Sequence, residues 1–245
     1  MNDYLRYLIR PNYVFMTLLQ LMLPLFVYLA WGVEWGWWVV AGTFYFIHLA
    51  IGNNIGMHRY FCHRYFKAPL WAEWLMLWAS ASAALGSPIS YAGIHVIHHK
   101  HSDTDLDPHG PQRGWKSVLY CFHRKIQPTE ISFSRNLGTL MTKYSWLHNY
   151  YWGWVVAYAL GILFVGGIKP FLFIWAIPVS ATLWAVALVL LLQHDDKQAS
   201  NTQSYQWFGW GEAFHKNHHD DPKLTNHAPV GKVDWTYQMT KWLSL

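Results

Sequence analysis

Charge is what this sequence has least of. Only 13% of its 245 residues are Asp, Glu, Lys or Arg, against 53% apolar and 18% aromatic residues; soluble globular chains carry about 25% charged residues. So little charge could not cover the surface of a soluble domain with this much apolar material. Cysteine is scarce as well. Cys62 and Cys121 could form at most one bridge, and both fall in segments placed below on the cytosolic side, so two free thiols are expected. There is no repeat, low-complexity run or linker, and a single domain is expected. No Gly-rich dinucleotide fingerprint or haem-binding domain is evident in the sequence, so a built-in carrier of that kind is not expected. The first apolar run is long and no small-residue cleavage site follows it, so no cleavable signal sequence is expected.

The mean hydropathy of +0.06 averages greasy segments with a polar, histidine-laden remainder. Four stretches are long and apolar enough to cross a hydrocarbon core of about 30 Å, which takes roughly 20 helical residues. They run from about Pro11 to Trp31, Gly36 to Met57, Tyr151 to Ile168 and Pro170 to Gln193. Pro178 is expected to kink the fourth. Trp31, Trp35, Trp37 and Trp38 cluster between the first two, as in an interfacial aromatic belt. Lys169 is the only basic residue in the two short connections, and the rest lie in the N-terminus, from Arg59 to Lys143, and from Lys197 onward. The positive-inside rule then puts both termini and the segments 58–150 and 194–245 in the cytosol. The expected fold class is an all-α, multi-pass integral membrane protein with four transmembrane helices beneath a cytosolic helical cap. A net charge of +5 calls for no nucleic acid; on a membrane-facing surface it suits anionic headgroups or an acidic protein partner. A fifth apolar stretch, Leu70 to Ile89, contains Glu73 and several small residues. It reads as a re-entrant or protein-buried helix pair, because a full crossing would put the histidines before and after it on opposite faces.

Fifteen histidines are many for this length. Nine form a pattern: His58-Arg-Tyr-Phe-Cys-His63, His95-Val-Ile-His98-His99, His215-Lys-Asn-His218-His219, and the isolated His194. Two H-x-x-H-H boxes arise by chance in on the order of one chain per thousand of this histidine content. Offsets of 0, 3 and 4 residues put three imidazoles within an arc of roughly 100° on a helix, so one box can serve two adjacent metals. His58 and His63 lie about 140° apart on an ideal α-helix, so His63 is expected just past the end of the second span, where the backbone can turn. All nine can meet at one membrane face. The other six, His48, His101, His109, His123, His148 and His227, read as non-ligands, although His48, mid-span, could line a cavity. Imidazole suits iron, copper, zinc and nickel alike, but this many neutral ligands exceeds the need of one tetrahedral zinc and points to a two-metal centre. Asp103, Asp105, Asp107, Glu212 and Asp220 flank the boxes and could accept the far N–H of ligating rings.

With these motifs in place, the chain resembles the membrane fatty acid desaturase family, especially its acyl-CoA desaturase branch, along nearly its whole length. The resemblance rests on H-R-Y-F-C-H at His58 to His63, H-V-I-H-H at His95 to His99, S-D-T-D-L-D-P-H at Ser102 to His109, and G-E-A-F-H-K-N-H-H at Gly211 to His219. It implies four membrane helices under a cytosolic cap, and two iron ions held by nine histidines: His58, His63, His95, His98, His99, His194, His215, His218 and His219. His194 matches the ninth ligand by position. It also implies electrons from cytochrome b5 or ferredoxin. Two positions depart from the family pattern. Gly93 and Ile94 stand where an Arg-Asp pair typically helps hold CoA, so the acyl carrier is left open among CoA, acyl carrier protein and a membrane glycerolipid. Leu190 stands where the family has an Asn holding a metal-bound water; Gln193, Asn53 or Asn54 are the substitutes at hand.

The resemblance implies that two irons and O2 remove two hydrogens from neighbouring CH2 groups of an acyl chain and leave a C=C, with no catalytic side chain beyond the metal centre. A hydroxylase or acetylenase on the same scaffold, and more remotely a metal transporter, share the spacing signal. The acyl tunnel is expected on the face of the second span that continues down from His58, along Asn54, Ala50 and Phe46 at α-helical steps.

Overall fold

The computed structural model describes residues 12–126, 130, 134–195 and 198–245; Pro11 and Asp196 lie outside them. Long apolar runs satisfy their backbone groups within helices, and each of the four apolar stretches is helical. The first is α1 (Tyr13–Leu29), 17 residues, opened by Asn12, whose Oδ1 accepts from Phe15 N–H at 3.0 Å. The second begins as α2 (Trp35–Phe46) and continues into a π-wound segment, Ile47–Cys62. The third lies at the C-terminal end of the 32-residue α5 (Arg135–Gly166). The fourth runs through Ile168–Pro170 and π-wound Phe171–Ala176 into α6 (Ile177–Leu192). Pro178, in the first turn of α6, therefore puts its missing N–H where the hydrogen-bond register already changes. Among the described residues one helix, Ile168–Val189, is long and apolar enough to cross a membrane, while α1 is apolar but shorter.

The fifth stretch is a helix pair. α3 (Leu70–Ser82) ends at a reversal in which Ala84 and Gly86 take φ of 58° and 101°. Ser87 then caps α4 (Pro88–His101), with Pro88 in its first turn. The chain thus comes back on itself, and His63 and His95, on either side of the stretch, meet at 2.8 Å.

Small residues let α3 lie directly on the π-wound segment. A Cβ on Gly52 would sit 2.7 Å from the Ala79 carbonyl oxygen, and Ser80 Oγ donates to Gly52 O at 2.7 Å. Glu73 is buried between helices; it accepts from the Tyr60 hydroxyl at 2.6 Å and from Tyr144, and pairs with Lys143. That carboxylate ties α3 to the π-wound segment and to α5. Outward-facing positions are apolar, as with Val14, Leu18 and Leu21 on α1 and Phe164 and Val165 on α5. Polar Thr17 and Gln20 face inward. The C-terminal region adds α7 (Tyr205–Gly209), α8 (His215–Asp220) and α9 (Trp235–Leu243). A two-stranded antiparallel pair, β1 (His194–Asp195) with β2 (Gln198–Ala199), precedes them.

Candidate metal centre

Nine imidazoles converge through their Nε2 atoms in two groups. In the first, His58 meets His218 at 3.0 Å, His63 meets His95 at 2.8 Å, and His99 meets His95 at 3.0 Å and His218 at 2.9 Å. One ligand atom from each of these five lies within 4.8 Å of all the others. His98, His194 and His215 form a second such group, joined by His219, whose Nε2 is 3.1 Å from that of His98. His194 and His215 are 3.2 Å apart. The box spacing divides the rings: on α4, His95 and His99 go to the first group and His98 to the second, while on α8 His218 goes to the first and His215 and His219 to the second.

Local backbone explains how each ring arrives. His63 caps the π-wound segment, and its N–H donates to His58 O at 3.1 Å, the i→i−5 bond of π winding. That register, rather than a turn beyond an α-helix, brings residues five apart onto one face, so the 140° separation of an ideal α-helix does not arise. His194 stands in β1 opposite Ala199, just past the end of α6. Asp103, at φ 62° in the loop after α4, receives both His194 Nδ1 at 2.8 Å and Ala199 N–H at 3.3 Å. The left-handed conformation, which Asp tolerates better than most residues, turns its carboxylate toward the pair.

Among the described residues, outer contacts orient four of the rings. Asp107, fully buried, lies 3.0 and 2.9 Å from His98 Nδ1 and accepts from His109 N–H at 2.9 Å. Asp103 holds His194, and Glu212 lies 3.4 Å from His58 Nδ1. The fourth partner is Tyr65, whose hydroxyl is 3.2 Å from His218 Nδ1 and whose ring stacks on His63 at 4.9 Å. Two acidic residues expected in this role have other places. Asp105 is exposed on the loop, and Asp220 is exposed and pairs with Lys216 at 2.8 Å one helical turn away. Gln193 donates to the Glu212 carbonyl, and Asn54 donates to Gly209 O at 2.7 Å; both brace the backbone of the cap.

Sequence reasoning passed over Arg59, although a cation inside an apolar helix end is itself a signal. It is fully buried, with Nη2 2.8 Å from Asp234, 3.0 Å from His227 Nδ1, and Nε 3.4 Å from Glu212. Burial acts to discharge Arg59, but Glu212 and Asp234 outweigh it and keep the guanidinium charged. Burial likewise acts to raise Glu212, and His58 and Arg59 overcome it, holding the carboxyl below its usual range.

Burial, reinforced by neighbouring imidazoles, pulls His63, His95, His98, His215, His218 and His219 well below the ordinary histidine pKa. His99 is brought down to about 4. A ring that is neutral and donates Nδ1–H to a carboxylate presents a bare lone pair at Nε2. Where both rings of a facing pair are held from behind, as His58 is by Glu212 and His218 by the Tyr65 hydroxyl, two such lone pairs meet at 3.0 Å and repel, and a cation between them would remove the conflict. The donor set therefore fits metal ions: converging imidazole nitrogens, seven of the nine rings disfavoured from protonation by burial, with His58, His98 and His194 oriented from behind by carboxylates.

A cavity of about 110 Å³ opens beneath the rings, lined by His58, His95, His98 and His215 and by apolar Leu85, Ile94, Val186 and Ala187. The π-wound segment faces it with Asn53, five residues before His58. Phe46, Ala50 and Asn54, expected to form its wall at four-residue steps, do not line it. Phe46 packs edge-on against Trp210 at 4.9 Å, Ala50 is buried, and Asn54 turns to the cap. The physical reason is again the winding, since a π register moves the continuing face to steps of five.

Helices closing over two groups of converging imidazoles beside a mostly apolar cavity make a site suited to metal ions. The fatty acid desaturase family model matches residues 35–228. The chain belongs to that family and is an oxidoreductase, a fatty acid desaturase. It is similar to an sn-2 palmitoyl-lipid 9-desaturase of Nostoc sp. (strain 36), 28% identical over 84% of this chain and 77% of that protein. It is also similar to an sn-1 stearoyl-lipid 9-desaturase of Anabaena variabilis, 26% identical over 90% of this chain and 84% of that one. An acyl-CoA 5-desaturase of Anemone leveillei is 27% identical over 87% of this chain and 68% of its own length.

Proposed function

We propose that the protein is a four-span integral membrane desaturase that introduces a C=C into an acyl chain carried by a membrane glycerolipid. Its nine converged histidines hold two iron ions, five rings at one and four at the other. The observation that carries this reading is the convergence of all nine Nε2 atoms in two groups directly above the cavity. The outward apolar faces of α1 and α5 and the inward polar Thr17 and Gln20 of α1 suit a bilayer, and the distribution of Lys and Arg favours the metal face in the cytosol.

Iron with O2 supplies an oxidant strong enough to take hydrogen from an unactivated CH2–CH2, which no side chain can do. Atoms and electrons balance as R-CH2-CH2-R′ plus O2, two electrons and two protons giving R-CH=CH-R′ and two waters. The protein's residues do the positioning. Leu85, Ile94, Val186 and Ala187 hold the alkyl chain in a dry channel beneath the rings. Asp103, Asp107, Glu212 and Tyr65 fix the ring planes. The electrons come from a separate protein, and the basic cytosolic surface suits an acidic donor of the ferredoxin or cytochrome b5 kind.

A glycerolipid carrier is favoured over CoA because Gly93 and Ile94, immediately before His95, are uncharged and buried, with Ile94 part of the cavity wall. Among the described residues no Lys or Arg lines the cavity there to receive a phosphate. The similar cyanobacterial proteins are named for lipid-borne chains. The test is expression in a host fed isotopically labelled fatty acids, followed by assay of the purified enzyme with acyl-CoA, acyl-carrier-protein and phospholipid or glycolipid substrates. The expected product is a mono-unsaturated glycerolipid with no added oxygen. A hydroxylated chain would make the protein a hydroxylase, and turnover confined to acyl-CoA would refute the carrier.

A further inference from the structure

The cavity does not end at the metal-facing rings. Beyond His98 its wall becomes a string of polar rings with ring centroids 4.9 Å apart from His98 to His109, 5.3 Å from His109 to His123, and 5.4 Å from His123 to Tyr13. Tyr13 is the first residue of α1. In the topology proposed above this is the cytosolic end of the first span, at the depth where headgroup gives way to hydrocarbon. A membrane lipid keeps its ester groups at that same depth.

The chemistry of this end is selective. His109 Nδ1 is buried, has no hydrogen-bond partner, and belongs to a side chain that lines the cavity. A buried imidazole nitrogen left unmatched costs free energy unless a ligand completes it. Among the described residues neither Lys nor Arg lines the cavity, its one formally charged lining residue is the carboxylate Glu212, and Arg124, near Tyr13, is paired with Glu130. An anionic end group such as a free carboxylate or a CoA phosphate is therefore poorly served. A neutral acceptor is well served by an imidazole N–H and a phenol.

We propose that Tyr13 and His109 form a subsite for the carbonyl of a glycerolipid ester, with the His109 Nδ1–H donating to it, so that the acyl chain is measured from the ester at the bilayer surface to the metal-facing rings. This assignment rests on the glycerolipid reading above. It makes His109 a specificity-determining residue that leaves the metal-converging set unchanged.

The experiment uses the full-length protein in nanodiscs, before iron loading, with a pyrene-labelled phosphatidylcholine as the displaced probe. Two competitors carry the same alkyl chain at the same glycerol position, one through an ester and one through an ether, which lacks the carbonyl. Wild type is expected to bind the ester about tenfold more tightly, the size of one buried neutral hydrogen bond. His109→Phe should reduce that preference to about twofold or less while iron content after loading stays normal. His109→Gln, which restores an N–H donor, should recover it. Tyr13→Phe removes a single oxygen and serves as the second variant should His109→Phe fail to fold. Equal binding of ester and ether by a wild-type enzyme that does convert glycerolipid chains would overturn the subsite alone, as would an undiminished preference in both His109→Phe and Tyr13→Phe. Wild-type turnover confined to acyl-CoA would overturn the carrier and the subsite together.

Discussion

Asp107 offers a sharp test of the two-group geometry. It is fully buried, both of its oxygens lie about 3 Å from His98 Nδ1, and one also accepts from His109 N–H. In Asp107→Ala the buried His98 Nδ1–H and the part-buried His109 N–H lose their acceptor, at about 1–3 kcal/mol for the buried one. His98 loses the contact that fixes its ring plane and keeps its Nε2 bare. Loss of such an outer partner lowers metal affinity about 10–100-fold, equivalent to about 1.4–2.7 kcal/mol. His98 belongs to the second group, and the hydrogen bonds given for Asp107 reach none of the five rings of the first. In the two-iron reading proposed above, iron should therefore fall from about two to about one per chain, measured by plasma emission spectrometry after dialysis against a graded chelator. Asp107→Asn should fall between, because the amide can keep one acceptor in place. Asp105→Ala, on the exposed loop, should match wild type. Full iron retention in Asp107→Ala at every chelator concentration would refute the division of the rings into two groups oriented from behind.

His194→Ala should likewise lower iron content and abolish turnover while the helical body stays folded by circular dichroism, because bilayer helices satisfy their own backbone bonds; normal iron and product would place the ninth ligand elsewhere. Arg59→Met should lower thermal stability in detergent by about 3–5 kcal/mol, since it strands the buried carboxylates of Asp234 and Glu212; an unchanged melting temperature would show the network to be dispensable. Gly52→Ala should destabilise or misfold the protein, because the new Cβ meets the Ala79 backbone at 2.7 Å, whereas Gly42→Ala, with nothing within 4 Å, should be tolerated; equal expression and melting of the two would contradict the close approach of α3.

The sequence by itself determined the chemistry and its general location. Fifteen histidines, two H-x-x-H-H boxes and long runs poor in charge are one-dimensional facts, and the 3.6-residue period of α4 was enough to foresee that one box splits between two groups. The pairing of Asp103 and Asp107 with particular rings was within reach because both lie just after α4, on one short loop. Which acidic residues turn inward was decided by the loop's backbone. Asp103 takes a left-handed conformation and faces His194, while Asp105, two residues on, is exposed. Tyr65, Arg59 and His227 belong to the site through contacts 153 to 175 positions away along the chain, and no local pattern carries such separations. Only the tertiary structure set the tunnel face. Close packing of α3 on Gly52 accompanies a π winding of the second apolar stretch, and that register brings Asn53 to the cavity in place of Asn54, Ala50 and Phe46. Hydrophobicity and spacing are written residue by residue. Helical register is a compromise between local hydrogen bonds and the packing of neighbouring elements, so it appears only when those elements are in place.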